Sequence, residues 1–378
     1  MKFSHISDIH LGLIQYNSEE RENDIYDAFN QAIDISINEH VDFVIFAGDI
    51  FHTPNPSGAA IMHMAHVLKK LKQNHIESFF ILGEHDISRI RSYPIPYVYH
   101  KLEFSHYIGE GKPTFYKDVL IIGLDKIRKS EIQDFELKLH EIDEIAKNHN
   151  GHKILVLHQG ISEINKFAGE LSYTDLPKNF TYYAMGHLHD KYLRSFSNLK
   201  GPIAYPGSIE LTTSEGIKNV KKGFYIVDIS GNEAKTNWIE LDIRPQFSAN
   251  TSYEDITKTI QEIIILAKKS RKKPIVEVKI EGKNIKTDLV QAQISQLIPY
   301  TLHCTWKSSK QLSNSSVFMD KPVRIENEML SLAASVLKSK QLSNFTIKEL
   351  LPALTSNDLE NANQIILENF KQFKKEKS

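Results

Sequence analysis

Five stretches of the chain carry carboxylates and imidazoles at spacings suited to metal ions. They are Asp8-Ile9-His10, Gly48-Asp49-Ile50-Phe51-His52, Gly83-Glu84-His85-Asp86, His158, and Gly186-His187-Leu188-His189. In extended chain, residues two apart point to the same side, so Asp8 with His10, and His187 with His189, can each address one centre. Glycine beside the ligands lets the backbone turn tightly. The mixture of oxygen and nitrogen donors suits Mn²⁺, Fe²⁺ or Zn²⁺ better than calcium, which takes oxygen alone. Seven candidate ligands, Asp8, His10, Asp49, Glu84, His158, His187 and His189, are too many for one four- or five-coordinate ion. Two ions roughly 3.5 to 4 Å apart that share Asp49 would use them all.

Positioning these side chains requires a scaffold that ends several strands at one place. Short apolar runs at Lys2 to Ile6, Phe43 to Ala47, Phe79 to Leu82, Val119 to Gly123, Ile154 to Leu157, Tyr182 to Met185, Ile203 to Tyr205 and Gly223 to Ile229 read as buried strands. Between them, Asn23 to Glu39 and Pro56 to Asn74 show the three-and-four spacing of amphipathic helices. Alternation of this kind predicts a layered α/β domain. Each ligand cluster follows one of the strands, and ligands in such sheets gather at the carboxyl ends of strands.

Bulk composition narrows the class. At 378 residues the chain exceeds one usual hydrophobic core, so two or three folded units are expected. No apolar run approaches the roughly 18 to 20 residues of a membrane-spanning helix, and Met1 leads directly into a strand-like segment, so a soluble protein without a signal peptide is expected. A single cysteine, Cys304, excludes an internal disulfide and a cysteine-based zinc cage and fits a reducing cytoplasm. With 46 basic and 47 acidic residues, overall charge gives no argument for nucleic acid. Any such argument must be local. Lys268, Lys269, Arg271, Lys272 and Lys273, and the smaller group Lys218, Lys221 and Lys222, could follow a phosphate backbone; a solvated helix end is the alternative. The aromatic residues Tyr93, Tyr97 and Tyr99 could line a groove or a dimer contact, or belong to the core.

Taken together and in this order, the five motifs resemble those of the calcineurin-like metallophosphoesterases, and within them the SbcD or meiotic-recombination-eleven type of DNA repair nuclease. The resemblance covers roughly residues 1 to 230 and implies a four-layer sandwich of two mixed β-sheets flanked by helices. It implies that Asp8, His10, Asp49 and His189 hold one metal, and Asp49, Glu84, His158 and His187 the other, with Mn²⁺ as the ion. His85 would be the general acid toward the leaving oxygen, oriented by Asp86, and His52 would position the phosphate. The family has Asn where this chain has Glu84; a carboxylate ligates the same ions, with altered metal preference or rate.

After the phosphoesterase domain (1–240) the resemblance implies a small α/β capping domain (245–310) that holds DNA, a linker (311–322) and a helical C-terminal tail (323–378) that grips the coiled coil of an SbcC-type ATPase. In the tail, Met329, Leu332, Ala333 and Val336 form one apolar stripe, and Leu359, Ala362, Ile366, Phe370 and Phe373 another. The family also implies a homodimer, single-strand endonuclease and 3′ to 5′ exonuclease activity, and a place at the prokaryotic nucleoid. Two rivals remain: a phosphoesterase of small phosphodiesters or phosphoproteins, and a DNA-end tether weakened by Glu84.

Overall fold

Strand β1 (Lys2–Ile6) alternates its burial between two cores: Phe3 joins an apolar cluster between two sheets, while Ile6 joins a cluster beneath helices. The same period of two divides β2 (Phe43–Ala47), whose Phe43, Ile45 and Ala47 face the inter-sheet core and whose Val44 and Phe46 face the helices. A strand covered on both faces must be apolar throughout, which is why these runs were legible. The helices on that outer face are α1 (Glu19–Asn38), with glutamates in its first turn, and α2 (Gly58–Gln73), whose N-cap Ser57 accepts a bond from the Ala60 amide.

The computed structural model describes residues 1–308 except 89–92, 128–130, 167, 213–215, 218 and 283–284, together with 333, 338–350, 365–367 and 369. The first sheet has the order β12-β11-β1-β2-β3-β4, adding β3 (Glu77–Ile81), β4 (His106–Tyr107), β11 (Gly223–Asp228) and β12 (Lys235–Glu240). The second has the order β5-β6-β7-β8-β10-β9, from β5 (Thr114–Tyr116), β6 (Val119–Leu124), β7 (Lys153–Leu157), β8 (Tyr182–Met185), β9 (Tyr192–Arg194) and β10 (Ile203–Tyr205). Both sheets are mixed: β1, β2 and β3 run parallel, as do β6, β7 and β8, while β11 and β9 run antiparallel to their neighbours. Besides the short helix α3 (Pro96–Lys101) beyond β3, α4 (Ile132–Lys147) covers the second sheet's outer face over Leu120, Ile122, Leu155 and Leu157. The result is the expected four-layer sandwich.

A third sheet, β13 (Gln246–Ser252), β14 (Ile275–Glu281) and β15 (His303–Ser308), packs against α5 (Ile256–Lys269) and α6 (Thr287–Ile294) through its own core of Ile260, Ile263, Val276, Val278 and Val290. Met1–Lys307 form one compact unit and Ser308–Ser378 a second. In the second unit a helix, Lys340–Phe345, is capped by the Ser339 side chain and runs into a wide turn at Thr346–Leu350. Of the expected stripes, Ala333 and Ile366 are helical. Met329, Leu332, Val336, Leu359, Ala362, Phe370 and Phe373, like the linker 311–322, lie outside the described residues.

Candidate metal centre

Because β1, β2 and β3 are parallel in one sheet, and β7 and β8 in the other, their carboxyl ends deliver all seven expected ligands to one edge of the sandwich. Ligand atoms of Asp8, His10 and His189 lie within 4.8 Å of one another, as do those of Glu84, His158 and His187. Asp49 stands between the groups: its Oδ2 is 3.8 Å from His10 Nε2 and 3.5 Å from His158 Nε2. The turns are strained, with Asp8, His10, Asp49 and His187 all at positive φ, a conformation non-glycine residues hold only where the surroundings dictate it. Two glycines make room. A Cβ at Gly48 would meet His158 Nδ1 at 2.3 Å, and one at Gly83 would meet Asp49 Oδ1 at 2.1 Å.

The buried nitrogens test whether this donor set suits metal ions. His158 donates from Nδ1 to the Ala47 carbonyl at 2.7 Å, which leaves the Nε2 lone pair directed at Asp49 and Glu84. That Nε2 has no hydrogen-bond partner, although Glu84 Oε2 is 2.9 Å away; His187 Nδ1 is likewise unpartnered at 2.8 Å from Glu84 Oε1. His10 Nε2 and His189 Nε2 face each other at 3.1 Å, and the far side of the His189 ring, Nδ1, meets the Thr212 hydroxyl at 2.8 Å. Two imidazoles aimed nitrogen to nitrogen, with carboxylates around them, are what a divalent cation needs. The residues present fit a pair of such ions, and Glu84, longer than the family's Asn, still reaches both histidines of its pocket.

Electrostatics point the same way. Burial drives the His10 imidazole down to about 3, so the ring is neutral and its lone pair available. Burial alone would raise Asp49, but the charge of His158, with that of His10, holds it at about 2. Glu84 is held well below the usual carboxylate range against its own burial, by the ring nitrogens of His158 and His187 that stand close to its two oxygens. His158, against its burial, is raised well above an ordinary imidazole by Asp49 and Glu84. A field that favours a buried imidazolium favours a metal cation at the same place.

His52 and His85 stack beside this centre, ring centroids 5.2 Å apart, and the His10 ring stands edge-on to both. The backbone amide of His85 donates to Asp49 Oδ1 at 2.9 Å. Its Nδ1 donates to the His52 carbonyl at 2.8 Å, so the orienting group expected at Asp86 is a main-chain oxygen instead. Asp86 is buried and accepts from the amides of Ile50, Phe51 and Gly83, stapling the loops after β2 and β3. Burial, together with the charge of Asp49, pushes its carboxyl up to about 7.

The basic residues divide. Lys268 lies over the Tyr300 ring and Arg271 is 88% exposed beside Asp242. Lys272 is engaged by Asp24 and Asp27, the Lys273 carbonyl accepts from Arg244, and Lys222 is buried with its ammonium on the His189 carbonyl and Ser208. Tyr99 is core, bonded to the Ile61 carbonyl, whereas Tyr93 is exposed and stacks on Tyr97. Thr212 and Glu170 contact candidate ligand residues from loops with no motif of their own, and Lys222, expected along a phosphate backbone, instead backs His189. Sequence reading found neither Thr212 nor Glu170, nor Arg21, fully buried, which binds Gln15, Asp24, Glu210 and the Leu211 carbonyl next to Thr212.

Comparison with known proteins agrees with this geometry. Residues 1–191 match the calcineurin-like phosphoesterase family. The chain is similar to proteins named DNA double-strand break repair protein Mre11 in Sulfolobus acidocaldarius (34% identical, covering 80% of this chain and 81% of the relative) and Saccharolobus solfataricus (32%; 79% and 80%). The counterpart in Methanocaldococcus jannaschii is 35% identical over 74% of this chain and 77% of its own. Strand ends, paired pockets and these relatives agree: the chain belongs to the calcineurin-like phosphoesterases and, within them, to the Mre11-type repair proteins.

Proposed function

We propose that the chain is a two-metal phosphodiesterase of DNA double-strand-break repair, cutting single strands internally and degrading duplex ends 3′ to 5′ with Mn²⁺. The observation that carries the reading is the convergence of Asp8, His10, Asp49, Glu84, His158, His187 and His189 beside the stacked pair His52 and His85. The repair context comes from the names of the relatives. Asp8, His10, His189 and Asp49 would hold one ion, and Asp49, Glu84, His158 and His187 the other. When bound, the ions lower the pKa of water and offset charge building on the phosphate.

The chain's own groups do the rest. Because a carbonyl can only accept, His85 carries a proton on Nδ1 toward His52, and its Nε2 is left to hold and deliver a proton to the departing sugar oxygen. His52, stacked against it, offers a donor to a non-bridging phosphate oxygen. Asp86 keeps the loops bearing Asp49, His52, Glu84 and His85 in fixed relation.

Around this centre we assign residues 245–310 as the cap over DNA, with Lys268, Lys269, Arg271 and Lys273 as phosphate contacts. The segment 323–378 binds an SbcC-type ATPase, supported by the exposed Leu342, Ile366 and Leu367. The assembly is a twofold homodimer acting on DNA in the prokaryotic cytoplasm. Among the described residues no helix is long and apolar enough to cross a membrane.

The test is Mn²⁺-dependent degradation of a labelled duplex and single strand by the purified chain, beside Glu84→Asn and His85→Ala. DNA cleavage in the parent that disappears with His85→Ala is expected. A parent that turns over small phosphodiesters and leaves DNA intact overturns the DNA assignment, and partner binding that survives truncation after residue 320 overturns the assignment of the tail.

A further inference from the structure

We propose that Glu170, held by Lys126, is a positioning residue of the second metal pocket: it fixes which nitrogen of His187 faces Glu84 and so sets that pocket's affinity for its ion. The inference rests on the two-metal reading above. Glu170 Oε1 lies 3.6 Å from His187 Nε2, while Nδ1 of the same ring is the unpartnered atom 2.8 Å from Glu84. At 3.6 Å the contact is electrostatic rather than a hydrogen bond.

A neutral imidazole carries one N–H. Glu84 alone would draw the proton to Nδ1; with a cation engaging Glu84, the anionic oxygen beside Nε2 favours the proton there and leaves the lone pair of Nδ1 for the pocket. His158 and His189 are anchored on their far sides in the same sense, by the Ala47 carbonyl and the Thr212 hydroxyl. For His187 the anchor is a charge.

That charge is itself fixed at both oxygens. Oε1 accepts from Lys126 Nζ at 2.7 Å, and Oε2 from the Gly160 amide at 2.8 Å. Gly160 follows the ligand His158 by two residues, and the Lys126 amide donates to the carbonyl of Leu82, two residues before Glu84. The Lys126–Glu170 pair, 11% and 14% exposed, therefore touches the strand ends that present all three terminal ligands of this pocket. None of these contacts reaches Asp8, His10 or His189.

The experiment is a titration of the full, metal-stripped chain with Mn²⁺, reading free ion by electron paramagnetic resonance, for the parent, Glu170→Gln and Glu170→Ala. The parent is expected to bind two ions. Glu170→Ala should keep one at parental affinity and bind the other about 10- to 100-fold more weakly. Glu170→Gln, whose amide oxygen can present only a partial negative charge to Nε2, should fall between. A parent that binds fewer than two ions defeats the two-metal reading itself. A parent that binds two, with Glu170→Ala also binding two at unchanged affinity, overturns this inference alone. Loss of both ions together with a lowered melting temperature in Glu170→Ala assigns Glu170 to general stability and overturns it as well.

Discussion

The two pockets are built from similar ligands and differ in what stands behind them. In the first, Asp8 and His10 are buried, and the His189 loop is enclosed by Thr212, Lys222, the Ser208 amide and, through Leu211, Arg21. Behind that loop Arg21, Asp24, Glu210 and Arg244 form a buried ionic cluster in which each charge has an opposite partner. In the second pocket His158 and the shared Asp49 are buried, but Glu84 is 38% exposed, and His187 is backed by one carboxylate near the surface. The first pocket is rigid by construction. The second opens toward solvent, and from that open side the Glu84 side chain meets both histidines.

The largest effect should come from what the pockets share. Asp49→Ala removes the carboxylate between them and the acceptor of the His85 amide, so Mn²⁺ stoichiometry is expected to fall toward zero, whereas His189→Ala and Glu84→Ala should each retain one ion. An Asp49→Ala protein that still holds one ion tightly would break the picture of a shared ligand. Next in size is His85→Ala, expected to slow DNA cleavage by about 10² to 10⁴. Its rate on bis(p-nitrophenyl) phosphate, whose leaving group needs no proton, should stay near that of the parent. An equal loss on both substrates would assign His85 to binding rather than to proton delivery.

The contrast in support is tested by stability. Arg21→Met strands the buried Glu210 and takes one of three cations from Asp24, which keeps Arg244 and Lys272, and should cost about 3–5 kcal/mol in denaturant unfolding. Lys126→Met, whose pair lies nearer solvent, should cost less and leave first-pocket Mn²⁺ affinity unchanged. Equal losses from the two substitutions would mean that the pockets are supported alike.

This contrast also marks what the sequence could reveal. The seven clustered carboxylates and imidazoles are legible in the sequence because such residue types directly follow strands buried on both faces, a local pattern. By contrast, the polar edge strand Lys235–Glu240 and the strand Gln246–Ser252 carry no continuous apolar run and take their conformation from neighbouring strands. Glu170, Thr212 and Arg21 act across the fold: Arg21 meets Glu210 from 189 positions away, a pairing no spacing encodes. Asp86 was read as the partner of its neighbour His85, yet its carboxylate turns back to the amides of Ile50 and Phe51. Proximity in sequence misled because a buried carboxylate takes whichever donors burial supplies.

The smallest predicted effect lies beneath both pockets, where His5 sits between the sheets on the strand that leads to Asp8 and His10. Its Nδ1 meets the Tyr182 hydroxyl at 3.0 Å, on the strand that leads to His187 and His189. Burial drives this imidazole from 6.5 down to about 3, so the folded ring stays neutral at pH values where the unfolded chain takes up a proton. A depressed histidine contributes stability that is whole above pH 6.5 and declines as pH falls toward 3, by about 2 kcal/mol between pH 7 and pH 5. His5→Gln keeps a polar partner for Tyr182 and does not titrate, so its stability in excess EDTA should fall less than the parent's over that interval, by about the same 2 kcal/mol. The ligand histidines titrate in both proteins and cancel in the difference. If the two proteins lose stability in parallel, the acid sensitivity belongs to the pockets rather than to the floor they share.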